Sequence, residues 1–371
     1  MSDPAIPDRP WHNPLTIDLL HKVLNTTFFH PFVAWIIPLC LRAQVTPYEH
    51  PAMLITVSWA TLLTLLFFLS ILNRRIAYGK PREVDLNDEV IVITGGASGL
   101  GLLIAEVYGL RGASVAVLDV RELEVGEARG VEFYKCDVGD REQVERVAKE
   151  IEEDFSCDAK QLGTPTILIN NAAIAHGKSI LDLSHEEIER TFRVNLLSHF
   201  HTIKTFLPGM IRENRGTVVT MSSVLAHLGC RNLSDYTSSK SALLALHASL
   251  TAELLHTHQK TIKTLLVTPG QITTPLFAGI KTPAPFLAPV LEPVDVAKEV
   301  IKAIDSGEGG VIAMPLYARW LPWMGVLPAG LHSVLRWWSG VDVAVEGFVG
   351  RNGEEQTEKG KEKEETRYFE G

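Results

Sequence analysis

Six short apolar runs, each separated from the next by chain long enough for a helix, constrain this sequence more than any other feature. They read V-I-V-I-T (90–94), S-V-A-V-L-D (114–119), V-E-F-Y-K-C-D (131–137), T-I-L-I-N-N (166–171), T-V-V-T-M-S (217–222) and K-T-L-L-V-T (263–268). The helical stretches between them include 99–112, 140–155, 184–214 and 236–258. Strands with little polar alternation are buried on both faces, and strands joined through helices pair in parallel. An α/β chain with a doubly wound parallel sheet follows.

The first of these runs leads into T-G-G-A-S-G-L-G, Thr94 to Gly101. A glycine-rich turn between a strand and a helix lets backbone approach a pyrophosphate, whose charge then meets the helix N-terminus. Asp119 ends the second strand, where a carboxylate can bond the adenosine ribose hydroxyls and repel a 2′-phosphate. No basic residue occupies the turn, so NAD is expected in preference to NADP, although Arg121 lies two positions beyond the aspartate. Further along, S-D-Y-T-S-S-K places Tyr236 four residues before Lys240, a spacing that puts both on one helix face. A free phenol titrates near pH 10 and is nearly inert as an acid or base at neutrality; bringing it to about 7 takes roughly 4 kcal/mol. A neighbouring ammonium and a positively charged nicotinamide ring would together supply most of that.

T-G-x-x-x-G-x-G, C-D-V at 136–138 and N-N-A-A at 170–173 resemble the motifs of the short-chain dehydrogenase/reductase family, in order, over roughly residues 88–310. The resemblance implies a Rossmann-type domain over 85–310 whose turn residues Gly95, Ser98, Gly99, Leu100 and Gly101 hold the cofactor. It implies that Asp137 and Val138 meet the adenine and that Asn171 braces the central sheet. Ala173 stands where the family has glycine. Ser223 lies thirteen residues before Tyr236, the family's serine–tyrosine interval, and Asn195 in F-R-V-N-L-L matches the asparagine of its tetrad. By the same resemblance Tyr236 is the acid/base and Ser223 orients the substrate oxygen. Lys240 holds the nicotinamide ribose, and Asn195 positions a water for a proton relay. P-G-Q-I-T-T resembles the family's P-G-x-V-x-T, so Pro269, Ile272 and Thr274 are expected beside the nicotinamide, with 275–293 as a mobile apolar lid.

Outside this domain, residues 1–26 are proline-rich and polar and are expected to hold little fixed structure. Residues 26–41 are apolar but interrupted by Pro31 and Pro38. Residues 52–72 carry neither charge nor proline and would span roughly 30 Å as a helix, a bilayer's hydrocarbon thickness. Asn73, Arg74 and Arg75, then Lys80 and Arg82, follow it, which places the catalytic domain in the cytoplasm. A hairpin of 27–41 and 52–72 in one leaflet is the alternative to a single span. Residues 311–350 form an apolar extension holding four of the seven tryptophans, suited to a bilayer headgroup region or to packing on the core or on a second copy in a homodimer. Residues 351–371 have mixed charge and little apolar content, as a disordered tail does.

The formal charge of −9 leaves no basic surplus for nucleic acid. Four scattered cysteines suit a reducing compartment and form neither a disulfide framework nor a zinc site. His199 and His201, like His256 and His258, are two apart on helices and do not share a face, so no metal is expected. The mean hydropathy of +0.11 agrees with membrane contact. This layout is similar to the membrane-associated retinol dehydrogenases and lipid-droplet hydroxysteroid dehydrogenases. That similarity implies NAD-dependent oxidation of a retinoid, steroid or long-chain alcohol at the endoplasmic reticulum or lipid-droplet membrane. The alternatives are an NADPH-dependent ketone reductase of a lipid intermediate and a non-catalytic lipid-droplet structural protein.

Overall fold

The computed structural model describes residues 15–122, 130–157, 164–257, 259–280, 282, 284–345 and 348. The charged tail 351–371, residues 1–14 of the N-terminal segment and His258 lie outside the described residues. The chain divides into two compact units, Met1–Gly79 with Ala284–Pro289, and Lys80–Pro283 with Val290–Gly371.

The first unit contains three helices, α1 (Ile17–Thr26), α2 (Pro31–Ala43) and α3 (Pro51–Tyr78). Residues 17–26 are therefore helical, contrary to the expectation of little fixed structure. Thr16 caps them by accepting from the Leu19 amide at 3.2 Å, and the apolar residues recur at helical spacing. Pro31 begins α2 instead of breaking it, because the first helical position has no hydrogen bond for proline to lose. α2 packs on α3 through Ala34, Ala60 and Leu63, with Trp35 Nε1 donating to Thr64 Oγ1 at 3.0 Å. Among the described residues α3 is the one helix long and apolar enough to cross a membrane. Only 17 % of its most apolar stretch is buried, unlike the core helix of a soluble domain. α1 and α2 meet the same measure only when taken together across a 51° bend. Within this unit the Ile17 amide also donates to the Phe286 carbonyl at 3.0 Å, so the middle of the expected lid belongs here.

The second unit is built on a seven-stranded parallel sheet. In chain order its elements are β1 (Val90–Thr94), α4 (Gly99–Leu110), β2 (Ser114–Asp119), β3 (Val131–Lys135), α5 (Arg141–Cys157) and β4 (Ile167–Asn170). They continue with α6 (His185–Phe192), α7 (Ser198–Arg212), β5 (Gly216–Met221), α8 (Ser234–His256), β6 (Ile262–Pro269), α9 (Pro293–Asp305), β7 (Gly310–Met314) and α10 (Ala329–Ser339). The strand order is β3-β2-β1-β4-β5-β6-β7. Alternate residues of a strand face opposite sides, so β1 sends Ile91 and Ile93 to one core and Val90 and Val92 to the other. The first core is covered by α4 and α9, through residues such as Ile104, Tyr108, Val300 and Ile304. The second is covered by α5, α7 and α8, through Val147, Ile151, Phe206, Met210 and Leu254. The order of strands reverses between β1 and β4, and ligands of open α/β sheets bind outside the carboxyl ends at such a point.

Two elements depart from the sequence reading. The stretch 184–214 is two helices joined by a π-helical turn, Arg193–Leu197, which places Asn195 on the inner side. Gly310–Met314 is a seventh strand, although the reading ended the domain at 310. It is a short edge strand with a single partner, β6, and its pattern is too brief to stand out from the apolar extension.

At the start of this unit Arg82 makes a buried two-pronged pair with Glu89, at 2.6 and 3.1 Å, and its Nε donates to Thr217 Oγ1 at 2.9 Å. The Thr166 hydroxyl also bonds Glu89. The side chains of Arg82 and Glu89 are 4 % and 1 % exposed, against 41 % and 29 % for the Arg111–Asp305 pair. Arg82→Ala leaves a buried carboxylate unpaired and is expected to cost about 3–5 kcal/mol. Arg111→Ala should cost about 1 kcal/mol or less. Urea denaturation of the detergent-solubilised chain followed by circular dichroism separates the two values.

Candidate active site

The turn after β1 is built for close approach. Gly95 has φ +63°, and its amide donates to the Leu118 carbonyl at 2.8 Å. A Cβ at Gly101 would lie 2.5 Å from the Gly95 carbonyl oxygen and 2.7 Å from Asn171 Nδ2. Only glycine lets α4 begin there, with its first amides directed at the cleft. Asn171 braces the turn by donating from Nδ2 to the Gly95 carbonyl at 2.9 Å and to the Thr94 carbonyl at 3.2 Å. The Asp119 carboxylate accepts from the Ala97 amide and from the Arg121 amide, each at 3.1 Å, which fixes it at the rim of the turn. Asp137 similarly accepts from the Gly139 amide at 2.9 Å, ordering the loop after β3. A helix terminus for a pyrophosphate, a carboxylate for a ribose and a turn with no room for a Cβ together fit a dinucleotide.

The cleft of about 210 Å³ that opens from this turn is lined by Gly95, Ser98, Gly99, Leu100, Asp119, Asp137, Val138 and Asn171. Ser223, Tyr236, Lys240, Pro269, Ile272 and Thr274 complete its deeper side. Gly101 stands behind the lining and shapes it. Ala173, in place of the family's glycine, also faces the cleft.

Ser223 and Tyr236 line the cleft together, the Ser223 hydroxyl lowering the phenol's pKa against burial, and Tyr236 is 3 % exposed. Its neighbour Ser222 is turned away, donating to the Lys240 carbonyl at 3.0 Å. Lys240, 2 % exposed, donates from Nζ to the Met221 carbonyl at 2.7 Å, and that Nζ lies 5.7 Å from the centroid of the Tyr236 ring. Burial pushes the phenol above its ordinary value, and the Ser223 hydroxyl offsets part of this. Burial also pulls the Lys240 amine down to about 7. Lys240 is therefore not a fixed cation beside the phenol, because each group is desolvated and each resists charging near neutrality.

Asn195 is fully buried, and its side chain is committed elsewhere than Lys240. Its Oδ1 accepts from the Ile174 amide at 2.8 Å, while Nδ2 donates to the Ile174 carbonyl at 2.9 Å and to Ser239 Oγ at 3.1 Å. It clamps the loop after β4 to α8. Next to Tyr236, Asp235 Oδ2 accepts from Thr191 Oγ1 at 2.8 Å and lies 3.1 Å from His176 Nδ1. This brace tying α6, the β4 loop and α8 together was not foreseen, because its three members are far apart in the chain. Leu276 and Phe277, from the start of the expected lid, line the cleft, as do Ile174, Arg190 and Val194, which the sequence reading does not single out. Arg190 and Val194 were detectable, being four apart on the helix that leads to Asn195. His199 is wholly buried and held neutral, its pKa lowered to about 3 by desolvation, whereas His201 is half-buried.

The model of the short chain dehydrogenase family matches residues 89–284. A mouse (Mus musculus) protein named epidermal retinol dehydrogenase 2 is 36% identical over 283 residues, covering 73% of this chain and 88% of the relative. A rat (Rattus norvegicus) protein named retinol dehydrogenase 10 is 33% identical over 261 residues, covering 61% of this chain and 74% of the relative. Among solved structures, the aldohexose dehydrogenase of Thermoplasma acidophilum superposes with a TM-score of 0.52 at 27% identity, covering 62% of this chain and 92% of the other.

The lowered Lys240 pKa has a sign that can be measured. The unfolded amine titrates at 10.5 and the folded one at about 7. Between those values the unfolded chain binds more protons, so this residue makes stability rise with pH through that window. The Tm of the wild type should climb from pH 7 to 10 relative to that of Lys240→Met, and parallel Tm profiles would show that the amine is not desolvated.

Proposed function

Because this chain belongs to the short-chain dehydrogenase/reductase family, which acts on CH–OH groups with NAD(P), we propose that it oxidises a lipophilic alcohol to a ketone or aldehyde with NAD. The observation that carries this reading is the buried Tyr236 phenol. It lies in the cleft with Ser223, with Lys240 close by, and is flanked edge-to-face by Phe277 at 5.5 Å in an apolar surround.

Bound NAD supplies the hydride acceptor and a positive ring that favours the phenolate. Tyr236 takes the hydroxyl proton at its phenolic oxygen. Ser223 holds the substrate oxygen against that phenol, and Lys240 binds the nicotinamide ribose. Asn195 acts by positioning, since it fixes Ile174 and the loop behind the nicotinamide site. Asp119 selects NAD: a carboxylate pinned at the rim of the turn accepts ribose hydroxyls and repels a 2′-phosphate.

A lipophilic substrate class is supported by three features. Phe277 and Leu276 face the cleft, α3 has the length and apolarity of a membrane anchor, and the names of the relatives are those of retinol dehydrogenases. The exposed Trp320, Trp323, Trp337 and Trp338, with Arg319 beside the first, suit a headgroup region. Arg74, Arg75 and Lys80 after the anchor favour a catalytic unit on the cytoplasmic side, at the endoplasmic reticulum or a lipid droplet. Arg82 no longer counts among those flanking charges, because Glu89 neutralises it.

Membranes carrying the protein, given retinoid, steroid and fatty alcohols with NAD or NADP, should reduce NAD with at least one alcohol class. Tyr236→Phe should lower kcat by about 10²–10⁴ while NADH affinity is retained. A preference for NADPH in ketone reduction would reverse the assigned direction, and equal turnover by Tyr236→Phe would remove the acid/base assignment.

A further inference from the structure

The strap between β6 and α9 is fixed at its base and again at its tip. Gln271 holds the base: its Nε2 donates to the Ile280 carbonyl at 2.8 Å, and its Oε1 accepts from Thr282 Oγ1 at 2.6 Å. The returning limb meets the same residue, the Leu291 amide donating to the Gln271 carbonyl at 2.8 Å. The tip, Ala284–Pro289, belongs to the first unit, where the Phe286 carbonyl accepts from the Ile17 amide at 3.0 Å. Ile17 is the first residue of α1, so that amide has no acceptor within its own helix and is open to the strap.

α2 and α3 pack as a hairpin. The connection between them turns on itself, with the Val45, Thr46 and His50 amides donating to the Arg42, Leu41 and Pro47 carbonyls. Ala34 and Ala60, which share a cluster, each lie about 14 Å along their helices from that connection, as antiparallel neighbours do. One end of the hairpin, Tyr78, is followed two residues later by the second unit. The other end continues through α1 to Phe286, which stands four residues from Thr282 and four from Val290, both in the second unit. The chain can carry Phe286 at most about 14 Å from either, less than half of a hydrocarbon core of about 30 Å. Both ends of the hairpin therefore stay on one side of a membrane.

α1 presents an apolar face that the described residues leave open. Leu19, Leu20, Val23 and Leu24 lie on one arc and are exposed, Asp18, His21, Lys22 and Asn25 occupy the opposite arc, and the helix buries no residue. At about 15 Å it is too short to cross a bilayer and suited to lying at its surface. The exposed apolar surface continues along the chain through Phe28, Phe29 and Phe32 into α2. All three helices lie outside residues 89–284, the part matched to the family. We propose that α2 and α3 enter the membrane as a hairpin from the side of the catalytic unit, and that α1 is a lipid-binding helix on that surface which holds the tip of the strap there. An alcohol dissolved in the same leaflet then meets the strap, whose Leu276 and Phe277 line the cleft, without crossing water. This inference rests on the reading of α3 as a membrane anchor.

The test uses the full chain, tagged at its N-terminus, in microsomes. Protease added outside intact vesicles should digest the tag and the catalytic unit alike. Digestion of the catalytic unit with the tag protected would show a single span and overturn the hairpin, whereas release of the protein by alkaline carbonate would overturn the anchor reading as well. Ile17→Pro isolates the tether, because proline is favoured at a first helical position and Thr16 already has the extended backbone, φ −124° and ψ 160°, that a residue before proline needs. In phosphatidylcholine vesicles this variant should keep α1 protected from hydrogen exchange. Exchange over 284–289, where the Leu287 and Ala288 amides bond the Ala284 carbonyl, should quicken about 3- to 10-fold, the worth of one hydrogen bond. Equal exchange there in variant and wild type overturns the tether. Leu20→Lys should quicken exchange over 17–26 and His21→Lys should not. Protection of α1 that falls when the protein is diluted in lipid would place a second copy on the face and overturn lipid as its occupant.

Discussion

At the carboxyl edge of β5 the Lys240 amine donates to the Met221 carbonyl at 2.7 Å, with the lysine only 2 % exposed. Removing an ammonium from water costs several kcal/mol unless it is paired or neutralised. Among the described residues a single main-chain carbonyl is its hydrogen-bond partner, and the amine is pulled down to about 7. The rest of the site is arranged around that cost. α8 holds Lys240 one turn below Tyr236, and Ser222 ties the lysine's own carbonyl back to the sheet. Ser223 is left as the hydroxyl facing the phenol. A buried amine and a buried phenol that each resist charging form a site whose ionisation responds to whatever charge is bound beside it.

The scaffold supplies the rigidity this needs. Main chain is anchored on both sides of the cleft: Asn171 holds the glycine turn after β1, and Asn195 holds the loop after β4. The π-helical turn at Arg193–Leu197 carries Asn195, which is buried and donates to Ser239 of α8. Insertions of this type are frequent at functional positions. Desolvation is the main influence on the ionisation of His199, Tyr236 and Lys240, so the site's chemistry is set by packing as much as by partner charges.

Much of this was legible in the residues, and the limits of legibility are physical. The strands of β1 and β2 were readable to the residue because runs buried on both faces have no polar interruption. Tyr236 and Lys240 could be placed together because a helix brings i and i+4 onto one face. What escaped was long-range or locally ambiguous. The Thr191–Asp235–His176 brace joins three elements with no shared motif. The seventh strand is five residues at a sheet edge. α1 was hidden because proline and polar residues around it outweighed a helical spacing that only its cap at Thr16 makes explicit. The return of Val345 to Tyr236 spans more than a hundred residues, and nothing in an apolar extension states where it lands.

The proposed activity takes an alcohol from a lipid phase and removes a hydride from carbon. That transfer is what most needs to be seen. Full-length protein in membranes, given NAD and a retinoid, a steroid and a fatty alcohol each carrying deuterium on the carbinol carbon, should produce NADH bearing that deuterium. Mass spectrometry of the recovered cofactor should find one deuterium for each molecule of ketone or aldehyde formed. Carbonyl product without deuterium in the cofactor, or no product from any of the three alcohols, would contradict the assignment.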